Sequence, residues 1–213
     1  MGLDRVNEKT IQFLQFFPTT LSRCQLPDFE RLNTDLLEYI DKQRRATPEG
    51  RTRSNTLGWQ SGNLDFDVPV VAEFAAAVLE RAREYGLAHK WSFPSHMQLI
   101  MREISANANG KYAYNNVHNH PNSLLSGVYY VRVERDCGDL LIFDPRKQAS
   151  VVQPAFSERT PINSSMQSIS PEVGTLIIFP SWLDHSVNQN LSDVDRISMS
   201  FNINLVHEEM IGG

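Results

Sequence analysis

From residue 97 to residue 205 the apolar residues recur at every second position or in short unbroken runs, with turn residues between them. The runs cover 97–104, 126–133, 139–143, 150–153, 174–179, 185–189 and 196–205. Alternation at every second position turns one face of a strand toward a core, whereas a helix needs apolar groups three and four apart. Short strands at near-regular spacing predict an antiparallel sandwich or barrel. The expected fold class is therefore mainly β, with helices confined to about the first 90 residues.

Two helices are expected in that first part. Pro27-Asp28 opens the first, in which Phe29, Leu32, Leu36, Leu37 and Ile40 form one stripe that ends before Thr47-Pro48-Glu49-Gly50. For the second, Asp67 is the expected cap, Pro69 suits the first turn and Gly86 the end. Ile11, Phe13, Leu14, Phe16 and Phe17 suggest an early strand within 10–21. Between the helices runs a polar loop, 50–65, with Trp59 inside it as a packing anchor or a cleft wall. The Ser- and Pro-rich insert 154–171 reads as a lid or binding loop. No repeat or clean linker divides the chain. The expectation is one domain over 1–213, with 1–90 buttressing a β core over 91–207.

Composition narrows the function classes. A net charge of −5 and a pI near 5.7 argue against a nucleic-acid surface. The basic runs 42–45 and 51–53 read as solvated or as steering an anionic partner. No apolar run is long enough to span a membrane, and no basic-then-apolar leader opens the chain. Cys24 and Cys137 form no C-x-x-C, so a reduced pair in the cytoplasm is expected.

The chemistry concentrates in four places. His118-Asn119-His120 precedes the run that holds Tyr129 and Tyr130, and residues two apart on a strand share a face. Two imidazoles could then meet one ion, although two surface histidines would look the same. His185 follows the buried run 174–179 and supplies a third imidazole. Beyond it, Arg196, Ser198, Ser200 and Asn202 alternate with Ile197, Met199 and Phe201. A guanidinium heading a polar stripe matches a carboxylate in bidentate fashion. His89, His96 and His207 read as surface or packing residues.

These segments, with Phe143-Asp144-Pro145-Arg146 and Phe179-Pro180-Ser181-Trp182, resemble the Fe(II)- and 2-oxoglutarate-dependent oxygenases. The likeness is greatest to a subgroup known from bacteria and their phages. The resemblance covers about 95–205 and implies a double-stranded β-helix (jelly-roll, cupin-like) core with flanking helices. It implies Fe(II), 2-oxoglutarate as co-substrate, O2, and hydroxylation of a substrate with loss of succinate and CO2. Prolyl or other protein hydroxylation is one form of it. It implies His118, His120 and His185 as the metal set, Arg196 with Ser198 at the far carboxylate, Tyr129 or Tyr130 on the co-substrate, and Asn116 and Asn122 beside the first ligands. Most members carry a carboxylate where His120 stands, so Asp144, ahead of Asp184, is the alternative third ligand. The competing readings are a three-histidine cupin-type dioxygenase without 2-oxoglutarate and a non-catalytic jelly-roll binding module. Expected partners are a small-molecule or protein substrate, with neither nucleic acid nor membrane; a homodimer is compatible. Loops 47–65 and 154–171 are the expected substrate contacts.

Overall fold

The structure is a computed structural model that describes residues 11 and 13–210. Eleven strands form two antiparallel sheets, and two helices lie on the outside of one. Along the chain run β1 (Ser22–Gln25), α1 (Phe29–Ala46), β2 (Asn55–Thr56), β3 (Trp59–Gln60), α2 (Pro69–Ala88), β4 (Met97–Asn109) and β5 (Tyr114–His118). β6 (Leu125–Arg132), β7 (Leu140–Phe143), β8 (Met166–Ile169), β9 (Thr175–Pro180), β10 (His185–Val187) and β11 (Arg196–His207) complete them. The major sheet is ordered β1-β9-β6-β11-β4-β3 and the minor sheet β2-β5-β10-β7-β8. Two facing antiparallel sheets of this order make a jelly-roll, which agrees with the sandwich or barrel that the strand pattern predicts and with the form that the resemblance implies. Among the described residues no helix is long and apolar enough to cross a membrane.

The major sheet is covered on its outer face. Leu32, Leu36 and Ile40 of α1 and Val71, Phe74 and Val78 of α2 are almost fully buried there. They meet Tyr129, Met199, Phe201 and Ile104 from the sheet in one cluster. Phe74 lies 5.3 Å from the Tyr129 ring and 6.2 Å from the Phe201 ring. Burying one such side chain stabilises the fold by about 1.5–3 kcal/mol. Arg31 ties the two helices together through Glu73 while also holding Asp28 and Asp35. Leu176 and Ile178 of β9 face this cluster, and Ile177 and Phe179 face the minor sheet. β9 is thus apolar on both faces, which explains its unbroken run.

Several expectations shift. Residues 13–21 form no strand, and Thr10 and Gln12 lie outside the described residues. Phe17 takes a left-handed φ of 57° and Pro18 offers no N–H, so the first strand waits until Ser22. The cap of α2 is Val68, one residue past Asp67. Gly86 lies inside α2, which runs on to Ala88. A Cβ there would stand 2.5 Å from Phe93 and 2.8 Å from Trp91, so the glycine serves close packing. The expected strand 150–153 is instead a 3-10 turn over Lys147–Ser150 and irregular chain, with Ala149 N–H donating to Arg146 O and Val151 N–H to Gln148 O. Those N–H groups are spent on local turns, and Pro145 and Pro154 on either side offer none to a ladder. β4 extends five residues past its expected end at Ile104, because Ser105, Asn107 and Asn109 continue the alternation in polar residues. Trp59 is an anchor: its Nε1 donates to Thr47 O at 2.8 Å.

Candidate active site

A cavity of about 840 Å³ opens between the two sheets. Its lining includes His118, His120, His185, Tyr130, Arg196 and Ser198. The three histidines come from three local environments. His118 ends β5 and stands directly opposite His185 at the start of β10. His120 lies beyond the strand, in a turn where Pro121 prevents further pairing and Asn122 has φ 68°. The expectation that one strand would aim both His118 and His120 therefore needs correction. A backbone bond from His120 N–H to Ser181 O, 2.9 Å, sets that turn against the other histidine's loop.

The ligand atoms of the three imidazoles all lie within 4.8 Å of one another. His118 Nδ1 donates to Asn116 O at 2.7 Å and His185 Nδ1 to Leu183 O at 2.9 Å. A carbonyl only accepts, so both rings carry their proton on Nδ1 and leave Nε2 free to bind. The Phe179 ring, 4.7 Å from His185, holds it edge to face. Burial, and then the neighbouring His118, lowers His120 to about 4 and His185 to about 3; burial also lowers His118. Neutral imidazoles at pH 7 are the form that accepts a metal.

The second half of the cavity is cationic. Arg196, on β11, is only 2% exposed, and its Nη1 donates to Cys137 O at 2.6 Å and Gly138 O at 3.0 Å. Among the described residues no carboxylate pairs with it. Gly138 has φ 91°, and a Cβ there would meet Asn188 O at 2.2 Å and Arg196 Nη1 at 2.9 Å, so only glycine fits this turn. Next to the guanidinium sit Ser198, 6% exposed, and Tyr130, whose hydroxyl is buried with no partner among the described residues. Burial raises the Tyr130 phenol well above its usual range, while the Arg196 charge pulls it down. It remains a neutral donor. A buried cation facing two hydroxyls, one of them unpartnered, fits a carboxylate. The histidine cluster fits a divalent metal of the borderline class that imidazole suits.

Other expected site residues lie elsewhere. Tyr129 faces the helices, its hydroxyl donating to Asn33 Oδ1 at 2.6 Å, because strand alternation turns it away from Tyr130. It cannot touch a co-substrate in the cavity. Asp144 is not in the histidine cluster; Arg146 clamps it at 3.0 and 2.8 Å and lowers its pKa. Asp184 instead accepts from Asn119 Nδ2 at 2.8 Å and faces Lys147. The Asn116 side chain lines the cavity and donates to Ser54 O and Thr56 Oγ1, so its carbonyl rather than its amide meets His118. Asn122 O accepts from Asn204 Nδ2. His89 stacks on Tyr85 at 4.2 Å, and His96 and His207 lie 4.9 Å apart outside this cavity. Loop 47–65 reaches the cavity with Arg53, Ser54, Gln60 and Asn63, whereas 154–171 contributes nothing to its lining. Glu103, Ser105 and Asn107 on β4 also line it. Sequence reasoning overlooked them, although their alternation with Ile104, Ala106 and Ala108 mirrors β11.

Residues 105–202 match the protein-family model described as "Putative 2OG-Fe(II) oxygenase". No curated protein matches the chain in sequence. Among solved structures, a Pseudomonas putida prolyl-4-hydroxylase aligns with TM-score 0.61 and 14% identity, over 87% of this chain and 92% of that one. HygX from Streptomyces hygroscopicus, solved with nickel and 2-oxoglutarate, aligns with TM-score 0.60 and 12% identity over 87% and 83%. The viral collagen prolyl hydroxylase of Paramecium Bursaria Chlorella virus-1 gives 0.54 and 13% over 86% and 94%. These likenesses establish the jelly-roll fold. The matched stretch begins at Ser105 on β4, ends at Asn202 on β11, and takes in all three histidines and Arg196. Residues 105–202 are thus similar to the 2OG-Fe(II) oxygenases.

Proposed function

We propose that His118, His120 and His185 hold Fe(II), that Arg196 holds the far carboxylate of 2-oxoglutarate, and that the enzyme hydroxylates a C–H bond of a small-molecule or protein substrate. The overall balance is substrate, O2 and 2-oxoglutarate in, and hydroxylated substrate, succinate and CO2 out. The iron and the co-substrate together supply the oxidising power. The protein supplies position and a controlled environment. The two Nδ1–carbonyl bonds orient His118 and His185 and leave their Nε2 lone pairs toward the shared point. Arg196 and Ser198 fix one end of the diacid, and Tyr130 O–H donates to it. Phe179, Leu140 and Val128 keep that part of the cavity apolar, which strengthens the charge pairing inside it.

The observation that carries this reading is Arg196: a buried guanidinium without a carboxylate partner among the described residues, in the same cavity as three neutral imidazoles. Leaving a charge in that state is costly unless a ligand completes it. A three-histidine dioxygenase that uses no 2-oxoglutarate has no need of such a group, and neither does a binding module. The same reading treats 22–207 as one catalytic unit, because β1 and β3 from the N-terminal part pair into the major sheet. The test is succinate formation in air from 2-oxoglutarate by the Fe(II)-loaded protein. Succinate that requires both iron and O2 supports the proposal; 2-oxoglutarate left intact by an iron-loaded protein contradicts it.

A further inference from the structure

The polar stripe on β11 is longer than a co-substrate requires. From Arg196 to Asn202 it extends about 20 Å at the usual rise of a strand, and a five-carbon diacid reaches only part of that length. The excess is matched across the ladder by β4 and β3. Ser200 stands opposite Ser105, Asn202 opposite Glu103, and Gln60 opposite Asn107. All six line the cavity. Asn107 Nδ2 donates to Ser200 Oγ at 3.1 Å and Asn202 Nδ2 to Glu103 Oε2 at 3.3 Å. The far end of this wall is tied to the metal end. Ser126 Oγ lies 2.7 Å from both Asn202 Oδ1 and Ser181 Oγ, and Ser181 O accepts the His120 N–H. A molecule lying on the wall would therefore lie alongside the histidines.

Resting on the oxygenase reading, we infer that this wall is the substrate subsite and that it takes a neutral polyhydroxylated molecule, a sugar or sugar-bearing compound. Apart from Glu103, whose carboxylate only accepts, the residues offer amides and hydroxyls able to donate and to accept, and a hydroxyl ligand offers both in return. Gln60 is 9% exposed, and its Oε1 has no partner among the described residues. An apolar substrate would leave the Gln60 carbonyl dry and unpaired, at about 1–3 kcal/mol. Charge at the wall disfavours a cation: Arg53 neutralises Glu103 at 2.8 Å, and Arg102 on the adjoining β-bulge adds a positive charge. A neutral hydrogen-bonding ligand meets no such repulsion.

The test uses xylitol as a generic polyol, with 2-propanol and an acetylated proline peptide as contrasts, on full-length protein loaded with Zn(II) and 2-oxoglutarate. Saturation-transfer NMR reads contact with each probe. Saturation should pass to xylitol, and Gln60→Leu or Asn202→Leu should each weaken xylitol binding about three- to tenfold, the range of one lost hydrogen bond. Thermal unfolding identifies a variant that has failed to fold, and the other then decides. Absence of transfer to xylitol, equal transfer in wild type and both variants, or preferential transfer to 2-propanol or the peptide overturns the inference. The 2-oxoglutarate-dependent absorption of the anaerobic Fe(II) form is measured separately. If it is normal and xylitol does not bind, only the subsite is wrong; if it is absent, the oxygenase reading fails.

Discussion

Tyr129 and Tyr130 are neighbours on one strand and both are almost fully buried, yet they do opposite work. Tyr129 turns to the helices, packs at a tilt against Phe74 and satisfies its hydroxyl on Asn33. Tyr130 turns to the cavity, beside Arg196, with no partner for its hydroxyl among the described residues. The pair divides the major sheet into an outer face that holds the fold together and an inner face kept polar at a cost to it. Outer positions are apolar and packed: Ile197, Met199, Phe201 and Ile203 on β11. Inner positions are the charge and the hydroxyls. Buried polar groups without partners destabilise a fold, so they mark where a ligand is expected to supply what is missing.

Substitutions that separate the two faces should separate stability from ligand binding. The largest effect is expected on the inner side. His185→Ala removes one of three imidazoles and should weaken metal binding by more than about 100-fold, as read by competition with a chelator, while the outer-face core still melts cooperatively. On the outer side, Phe74→Ala should cost about 3–5 kcal/mol in chemical denaturation and leave the affinity for 2-oxoglutarate unchanged in whatever fraction remains folded. The two tyrosines give a finer test. Tyr129→Phe should lose about 1 kcal/mol of stability with no change in co-substrate affinity. Tyr130→Phe should lose about three- to tenfold in that affinity with no loss of stability, since its hydroxyl has no partner among the described residues to lose. Effects on the same property for both would break the division.

The remaining test is that of pH on the metal-free protein. His120 and His185 have folded values of about 4 and about 3, below the ordinary 6.5. On acidification through 6.5 the unfolded chain takes up these protons before the native state does. Stability should therefore fall as pH drops from about 6.5 toward the folded values, and be fully present above that window. Replacing both histidines with glutamine should flatten that part of the profile.

The legibility of the sequence follows the same division. β11 could be read residue by residue, because strict alternation between a sheltered and a ligand-facing side is a period-two signal. The helices α1 and α2 were legible from their stripes. The inner face of β4 was not read, because Ala106 and Ala108 give weak apolar contrast to Ser105 and Asn107. The His-x-His spacing reads as part of a strand although pairing stops at His118, ahead of Pro121, and Asp144 reads as a ligand although Arg146, two residues on, captures it. Both depend on how the chain bends in three dimensions. Of the two loops expected at the cavity, only the one fastened by Trp59 reaches it.

The central claim is that Arg196 waits for a carboxylate and not for a structural partner. Anaerobic titration of the Fe(II)-loaded protein with 2-oxoglutarate, followed by the visible absorption of the iron–2-oxo acid chelate, tests it most directly. Wild type should develop a saturable band, and Arg196→Ala should require at least about 100-fold more 2-oxoglutarate, a loss of the size expected for a buried charged pair, while binding iron as before. Equal 2-oxoglutarate affinity in the two proteins, or no band in wild type, would contradict the account.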